Sequence, residues 1–412
     1  MTVAAPPVDA ARVAAHLRAF ARIGYSPDGG MRRLAFSRAE LRARELLLHL
    51  LATLGLATRV DGIGNVFGRV PGAAAPDLPP LLVGSHLDTV PGGGRFDGIL
   101  GVVAALEVAS ALHAAGATTR RPIDIVDYTN EEGTRFTPAM LASGGMTGVF
   151  TREYVYGRPD REGKTFGAEL ARIGYRGDEG ARPREIAASL ELHIEQGPVL
   201  EASGESVGIV EGIVGIGWYW ATVRGQSAHA GPTPMAMRRD ALVAAARMVV
   251  AARDLARERG ALNITTGALT PEPGVINVIP PTVRFSLDLR ARDDAVQDAA
   301  LAALRERCAA IAAEEGVSVD VEEHWRVPPT PFAAAIKDRA EALCRERGYS
   351  VRRLWGGAGH DSQYLARVAP TAMLFVPTIG GLSHCETEDA PWPDIAGATD
   401  VLLALANELA NA

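Results

Sequence analysis

Residues 81–101 read LLVGSHLDTVPGGGRFDGILG: a short apolar run, then a histidine and an aspartate, then a glycine-rich turn with a second aspartate. Leu81–Ser85 follows two prolines and ends in a polar turn, which predicts a buried strand. Ile99–His113 is predicted to form the helix that covers this strand. The stretch therefore predicts one β-α unit of an α/β domain, with chemically active side chains in its connection.

Three further short apolar runs are predicted to be strands of the same domain. They are Ile123–Thr129, Leu190–Ile194 and Thr371–Val376, the last of which lies between two prolines. Open α/β sheets place their active sites at the carboxyl ends of their strands. We therefore expect the polar residues that follow these runs to lie close together.

Residues of the types that bind metals follow each of these predicted strands. Imidazoles and carboxylates that converge from separate segments are what a metal such as zinc requires. The leading hypothesis is a hydrolytic site with two metal ions. The candidate residues are His86 and Asp88 after the first strand, Asp97 after the glycine turn, Glu131 and Glu132 after the second strand, His193 on the third, and His384 after the last.

Each of these motifs has a structural alternative when it is considered alone. His86 and Asp88 fit a core histidine satisfied by a carboxylate as well as they fit a metal ligand whose second N–H is accepted by Asp88. Asp97 could be a helix N-cap, the adjacent glutamates a solvated turn, and His193 a buried, satisfied histidine. Five independent coincidences at strand ends are harder to explain by chance, so the pattern as a whole favours the metal site.

The order of elements changes between about residues 215 and 325. The predicted order there is β-α-β-β-α-β, the ferredoxin-like arrangement of a four-stranded sheet with two helices on one face. This segment would form an inserted domain, leaving a discontinuous domain of residues 1–214 and 326–412. The predicted elements are Trp218–Gly225, Pro234–Gly260, Ala261–Gly267, Val283–Ala291, Asp293–Gly316 and Ser318–Glu322.

Composition limits the possible partners. With 412 residues, 47% of them hydrophobic, the chain can bury large cores and form two domains. A net charge of −7 provides no basic stripe for nucleic acid or an anionic membrane. Without a signal peptide or an apolar run of membrane-spanning length, the sequence predicts a cytoplasmic protein. Cys308, Cys344 and Cys385 form no paired framework and are predicted to be free thiols.

Eight motifs together resemble one known family. The chain is similar to the carbamoylase and allantoate amidohydrolase branch of the M20 metallopeptidase family, from about residue 80 to 390 and in the same order. The resemblance implies an α/β domain with two metal ions, carrying a ferredoxin-like lid that also dimerises. The motifs are GSHLDTVPGGGRFDGILG, NEEGTRF, HIEQGPVLE, GQSAHAGPTPM, GVINVIP, DLR, GAGHDSQ and GGLSHCETE.

The resemblance also implies roles for individual residues. Asp97 would bridge two divalent ions, which could be zinc, manganese, cobalt or nickel. Aminoacylase-like and peptidase-like members usually have a carboxylate where this chain has His193, so the histidine predicts ureido cleavage. A cis peptide bond is implied after Asp97. His86 and His193 would complete one metal site, Glu132 and His384 the other, and Glu131 would be the general base.

Substrate-binding residues are predicted in both the discontinuous domain and the inserted domain. Arg290 offers a bidentate fork for a substrate carboxylate, and Asn277 and Gln196 add amide donors. Both amide residues also have structural alternatives, since an asparagine before Val-Ile-Pro is often a turn residue. The resemblance implies that His229, otherwise a surface or capping histidine, reaches the oxyanion from the partner subunit of a homodimer. Gly357, Gly359 and His360 are predicted to shape a backbone anion pocket at a helix start, although His360 fits a packing role equally well.

The predicted activity is hydrolysis of the ureido group of an N-carbamoyl-L-amino acid to amino acid, ammonia and carbon dioxide. Allantoate amidohydrolase and N-carbamoyl-β-alanine hydrolase (β-ureidopropionase) are close alternatives, because each substrate places a carboxylate beside a ureido group. An amide hydrolase of the aminoacylase or peptidase type is a more distant alternative. A non-catalytic binding protein with this fold would be expected to lack Glu131 or several ligands, and none is missing.

Overall fold

The computed structural model describes residues 6–26, 29–73 and 78–412. The chain divides into two compact units, one of Met1–Gly212 with Pro331–Ala412 and one of Ile213–Thr330. The lid and dimerisation roles expected of the second unit remain predictions. Cys308, Cys344 and Cys385 are free thiols, as predicted.

The strands of the described residues alternate with helices along most of the chain. In chain order they are β1 Ala57–Val60, β2 Val66–Val70, β3 Leu81–His86, β4 Ile123–Tyr128, β5 Ala188–Ile194, β6 Val207–Ile213, β7 Gly215–Arg224, β8 Ala228–His229, β9 Leu262–Thr265, β10 Leu269–Glu272, β11 Val278–Ile279, β12 Thr282–Ala291, β13 Ser318–Val327, β14 Thr330–Pro331, β15 Val351–Gly356 and β16 Thr371–Val376.

The helices range from one turn to six turns in length. They are α1 Ala10–Ala21, α2 Arg38–Thr53, α3 Ile99–Ala114, α4 Leu141–Met146, α5 Arg152–Tyr156, α6 Phe166–Arg172, α7 Val199–Ser203, α8 Ala241–Arg259, α9 Asp294–Glu315, α10 Ala334–Glu346, α11 Ser362–Leu365 and α12 Trp392–Asn411, with 3₁₀ turns at Glu179–Ala181, Met235–Met237 and Ile379–Gly381. Among the residues that the structure describes, no helix is both long enough and apolar enough to cross a bilayer.

The first unit is built on a mixed sheet. Its strand order is β1-β2-β4-β3-β5-β16-β6-β14, with β15 paired to β6. The central strands β4, β3, β5 and β16 are parallel, whereas β2 and β6 join them antiparallel on either side. The mixed α/β fold predicted from the sequence is confirmed. Parallel order brings the carboxyl ends of the four central strands to one edge of the sheet.

Helix α3 covers the centre of this sheet. Every residue from Ile99 to Leu112 is buried, which explains why apolar residues occur all round the helix. The one charged residue among them, Glu107, is paired with Arg12.

Gly101 allows α3 to pack closely on β5, because a Cβ there would lie 2.5 Å from the carbonyl oxygen of Leu192. Within the sheet, Gly84 of β3 allows a close approach to β4, since a Cβ there would lie 2.1 Å from the carbonyl oxygen of Val126. The observed bounds of β3 and α3 agree with the predicted ones to within one residue.

The second unit has an antiparallel sheet in the order β10-β12-β7-β13, with β9 also paired to β12. Helices α8 and α9 pack against each other and against these strands. The predicted order of strands and helices is observed, and β9 corresponds to the predicted second strand. Strand β10, which pairs with the other end of β12, was not predicted, so this sheet of the described residues has five strands where four were predicted. A separate two-stranded ladder pairs β8 with β11.

Three local predictions are wrong. Helix α8 begins at Ala241 instead of Pro234, because the side chain of Asp240 caps it by accepting the N–H groups of the next turn. Strand β13 continues to Val327, past a bulge, where the sequence predicted an end at residue 322. The cis peptide bonds of the described residues lie at Thr137–Pro138 and Glu272–Pro273, so the bond after Asp97 is trans.

Candidate metal centre and active site

The predicted metal ligands converge at the carboxyl edge of the first unit's sheet. Parallel pairing explains the convergence, since each ligand lies at the end of a central strand or in the loop that follows it. His86 is the last residue of β3, Asp97 precedes α3, Glu132 follows β4, His193 lies in β5 and His384 follows β16.

Asp97 lies between two groups of ligand-type atoms. Its Oδ1 is 3.1 Å from His193 Nε2 and 3.8 Å from His86 Nε2. Its Oδ2 is 3.2 Å from His384 Nε2, and His384 Nε2 is 3.6 Å from Glu132 Oε2. Within each group the ligand atoms lie no more than 4.8 Å apart. The arrangement matches one carboxylate shared by two ions.

The residues present fit two metal ions. Ligand atoms at about 2.1 Å from a tetrahedral ion lie about 3.4 Å from one another, and the contacts above bracket that spacing. His86 Nδ1 lies 3.0 Å from the carbonyl oxygen of Asp88, and His193 Nδ1 lies 2.9 Å from that of Ile194. A carbonyl only accepts, so each Nδ1 carries the proton. Each Nε2 then faces the site, as metal-binding histidines require.

The pKa values of the clustered side chains follow from burial and from the charge of Asp97. Burial lowers the pKa of His86 to about 4. Burial acts in the same direction on His193, but the hydrogen bond and charge of Asp97 outweigh it and raise the pKa to about 9. Burial opposes ionisation of Asp97, yet hydrogen bonds to His193 and His384 hold its pKa well below the usual range. A proton therefore competes with metal for His193.

The prediction that the Asp88 carboxylate accepts the second N–H of His86 is wrong. Its carboxylate Oδ1 lies 3.7 Å from His86 Nδ1, and the backbone carbonyl of Asp88 accepts that N–H instead. Strand β3 ends at His86, so the alternation that would align the two side chains does not continue. The carboxylate accepts the N–H groups of Glu131 at 3.1 Å and Glu132 at 3.3 Å. Asp88 therefore braces the turn that carries both glutamates.

Glu131 points into the cluster beside the first ligand group. Its Oε2 lies 3.7 Å from His86 Nε2, and its side chain is 9% exposed. Burial, followed by the charges of Asp361 and Glu132, raises the pKa of Glu131 well above its usual range. A carboxyl group with this environment accepts and returns a proton more readily near neutral pH.

Strained backbone marks the loops around the cluster. Asn130, Gln196 and His384 have φ values of 58°, 57° and 58°, a region that side chains with a Cβ rarely adopt. Gln196 Nε2 lies 3.3 Å from Asp97 Oδ2 and 3.5 Å from His384 Nε2. The structure therefore brings Gln196 to the metal centre itself.

Buried charged residues beneath the site were missed by the sequence analysis. The peptide groups of Leu87, next to His86, are held on both sides: its N–H donates to Asp127 Oδ1 at 3.0 Å, and its carbonyl accepts Arg33 Nε at 2.9 Å. Both side chains are fully buried. The signal available in the sequence was Asp127 itself, one of two charged residues, with Asp124, in a strand predicted to be buried.

His360 lies directly behind His193. Their ring centroids are 4.5 Å apart, and His360 Nε2 is buried without a hydrogen-bond partner. The helix after it, α11, is a single turn preceded by the buried carboxyl group of Asp361, and both features disfavour an anion pocket there. Substrate contacts of Gly357, Gly359 and His360 remain predictions.

The remaining predicted residues belong to the second unit. His229 on β8 and Asn277 before β11 meet on one ladder, where Ala230 N–H donates to the Asn277 carbonyl at 3.0 Å; both residues are exposed. Arg290 on β12 donates through Nε and Nη2 to both carboxylate oxygens of Asp288, each at 2.9 Å. Its guanidinium plane is thus fixed by an internal carboxylate.

Comparison with known proteins gives consistent matches over most of the chain. The model of peptidase family M20/M25/M40 matches residues 82–408. An N-carbamoyl-L-amino-acid amidohydrolase from Rhizobium meliloti is 40% identical over 98% of this chain and 97% of its own length. An allantoate amidohydrolase from Bacillus subtilis is 36% identical over 89% and 90%.

A solved structure agrees with these matches. An amidase of the hydantoinase/carbamoylase family from Burkholderia multivorans is 44% identical, with a TM-score of 0.93 over 98% of both chains. The likeness covers both units of the fold as well as the motifs at the metal centre. The chain belongs to peptidase family M20/M25/M40, in the branch that contains these amidohydrolases.

Proposed function

We propose that this metal-dependent hydrolase cleaves the ureido group of N-carbamoyl-L-amino acids. The observation that carries the proposal is the imidazole of His193 in the first ligand group, where peptidase-like members usually have a carboxylate. The relative from Rhizobium meliloti, which is named for this activity, supports it. The proposal has two parts: the reaction class is hydrolysis of a C–N bond, and the specific substrate is an N-carbamoyl-L-amino acid.

Two divalent ions are proposed to occupy the centre, one at His86 and His193 and one at Glu132 and His384, with Asp97 shared between them. Such ions polarise a carbonyl group and lower the pKa of bound water. Mixed nitrogen and oxygen ligands discriminate poorly among zinc, manganese, cobalt and nickel, so any of these is compatible with the site.

Glu131 is proposed to move the protons of the reaction. Its carboxylate takes a proton from the attacking water as the new C–O bond forms at the ureido carbon. It returns that proton to the nitrogen of the amino acid as the C–N bond breaks. The amino acid leaves, and the carbamic acid that remains decomposes to ammonia and carbon dioxide.

Substrate binding is proposed to use both units of a homodimer. The guanidinium of Arg290 would bind the substrate carboxylate, with amide donors from Asn277 and Gln196. His229 of the partner subunit would donate to the oxyanion that develops during attack. His360 and the backbone at Gly357 and Gly359 would complete the substrate contacts.

Allantoate is the second candidate substrate. The relative from Bacillus subtilis supports it, since that protein is named for allantoate hydrolysis and is nearly as similar over a comparable length. Allantoate also presents a carboxylate beside a ureido group, so the same ligands and the same arginine would serve it.

An ammonia-release assay with metal-replete enzyme tests the proposal. The panel is a series of N-carbamoyl-L-amino acids, N-carbamoyl-β-alanine, allantoate and an N-acetyl amino acid, the last assayed by release of the amino acid. We expect the highest kcat/KM with an N-carbamoyl-L-amino acid. A higher value for allantoate would move the assignment within the branch, and a preference for the N-acetyl substrate would overturn ureido cleavage.

A further inference from the structure

Glu388 joins the two loops that carry Asp97 and His384. Its Oε1 accepts the N–H groups of Phe96 at 3.0 Å and of Asp97 at 3.1 Å. Its Oε2 accepts the hydroxyl of Ser383 at 2.8 Å. One carboxylate therefore bonds to the backbone of the shared aspartate and to the residue before His384, although the two loops are 291 positions apart in the sequence.

The fit around Glu388 is tight. Its side chain is 2% exposed. A Cβ at Gly94 would lie 2.1 Å from Glu388 Cδ and 2.3 Å from Glu388 Cβ, so only glycine allows the two loops to approach this closely. A second link between the same loops, Arg95 to Asp389 at 2.8 Å, is largely exposed, and ion pairs of that kind contribute little to stability.

Burial of a carboxylate among neutral donors is costly unless a positive charge is nearby. Within the part of the chain that the structure describes, no lysine, arginine or histidine forms an ion pair with Glu388. The side chain lies beside the centre where the proposed function places two cations. If the link were only structural, a neutral glutamine could accept the same N–H groups without the cost of burying a charge.

We propose that Glu388 is a positioning residue for the metal centre. It sets the separation between the shared aspartate and His384, and its charge helps to retain the ion at Glu132 and His384. The inference rests on the ligand roles given under the proposed function. Residues that orient ligands in this way typically change metal affinity by about 10–100-fold when they are removed.

The test measures metal binding directly in the full-length protein. Metal-free wild type and variants are titrated with Zn²⁺ against a chromophoric chelator, and the visible absorption spectrum is recorded with Co²⁺. Glu388→Ala should lower the affinity for the ion at Glu132 and His384 by about 10–100-fold and alter the Co²⁺ spectrum. Glu388→Gln should weaken it less, because an amide oxygen still accepts the N–H groups of Phe96 and Asp97. The matched control, Glu386→Gln, removes an exposed carboxylate from the same loop and should bind metal as wild type does.

A variant that leaves Glu388 in place adds an independent test. Gly94→Ala forces the two loops apart and should therefore lower the affinity for the ion at Glu132 and His384, as Glu388→Ala does. Thermal unfolding of each metal-free variant separates folding from binding. The inference would be overturned if Glu388→Ala and Glu388→Gln bind two ions with wild-type affinity and a wild-type Co²⁺ spectrum. A loss of thermal stability in the metal-free variants would then show that Glu388 has only a structural role. Wild type that binds no second ion would instead overturn the proposed metal centre, and this inference with it.

Discussion

The two sets of proposed functional residues differ in how they are held. The ligands of the metal centre lie at strand ends of the first unit and are braced from beneath by buried charged side chains such as Arg33, Asp127 and Glu388. In the second unit, His229 and Asn277 are exposed on a ladder of two residues per strand. The metal ligands are held in place before substrate binds, whereas His229 and Asn277 lie on an exposed surface.

This difference matches what each set is proposed to do. Metal ligands must keep their geometry to within fractions of an ångström, and buried networks supply that rigidity. Substrate contacts need access, and side chains on an exposed ladder provide it. We therefore expect changes in the first set to remove metal or chemistry altogether, and changes in the second set to leave the metal in place while weakening catalysis or binding.

The largest effect should come from the shared ligand. Asp97→Ala removes the carboxylate that faces both ligand groups, so we expect loss of both ions and turnover at the background rate. Elemental analysis after reconstitution with zinc or manganese measures this, with two ions per subunit expected for wild type. Glu386→Ala, which removes an exposed carboxylate from the loop of His384, is the control. One ion or none in active, reconstituted wild type would contradict the two-metal centre.

The next largest effect separates the adjacent glutamates. Glu131→Gln should keep both ions and lose roughly 10²–10⁴-fold in kcat, since it removes the general base and no ligand. Glu132→Gln should lose an ion as well as activity. Metal content and steady-state rates measured on the same samples distinguish the two. Near-normal turnover of Glu131→Gln with an unchanged pH profile would show that another group moves the proton.

His229 provides the sharpest contrast with these buried residues. His229→Ala should keep both ions and lower kcat by roughly 10²–10³-fold, the usual result of removing one oxyanion donor. If it acts across a dimer, mixing this variant with Glu131→Gln restores one intact site in each mixed dimer. Recovery of roughly a quarter of wild-type activity is expected for random exchange at equal mixing. Heterodimers that form but stay inactive would place His229 elsewhere in the mechanism.

Much of the fold and of the site could be predicted from the sequence because both follow from local patterns. The apolar run before His86 predicted β3, and the polar residues after each strand predicted the ligand set. The role of Asp88 was mispredicted because it depended on where β3 stops. Glu388 and Arg33 could not be identified, because the sequence alone does not show whether a charged residue is buried or exposed.

The acidity of the buried cluster predicts how metal affinity depends on pH. In the metal-free protein the pKa of His193 is raised to about 9, so at pH 7 an ion must displace a proton from that imidazole. Affinity should therefore fall as pH falls below 9, by about tenfold per unit for one displaced proton. Titrations with Zn²⁺ between pH 6 and 9 at fixed ionic strength measure the slope. An affinity independent of pH in that range would mean that His193 is already neutral.

The smallest effect should arise at Arg290, whose guanidinium is held by Asp288. Arg290→Lys keeps the positive charge but loses the planar fork, because one ammonium group cannot match both Asp288 and a substrate carboxylate in bidentate fashion. We expect KM to rise about tenfold to a hundredfold while kcat and metal content stay close to wild type. Steady-state kinetics with an N-carbamoyl amino acid give both constants.

Strand β12 also supplies the control for this prediction. Arg284 lies on β12 and is exposed, with its guanidinium 4.1 Å from the centre of the Trp220 ring. Arg284→Lys makes the same chemical change without touching Asp288, so its KM should match wild type. If both variants raise KM equally, the effect does not depend on the position of Arg290, and its guanidinium does not anchor the substrate carboxylate. If Arg290→Lys lowers kcat and leaves KM unchanged, the arginine acts on the transition state and does not anchor the substrate carboxylate.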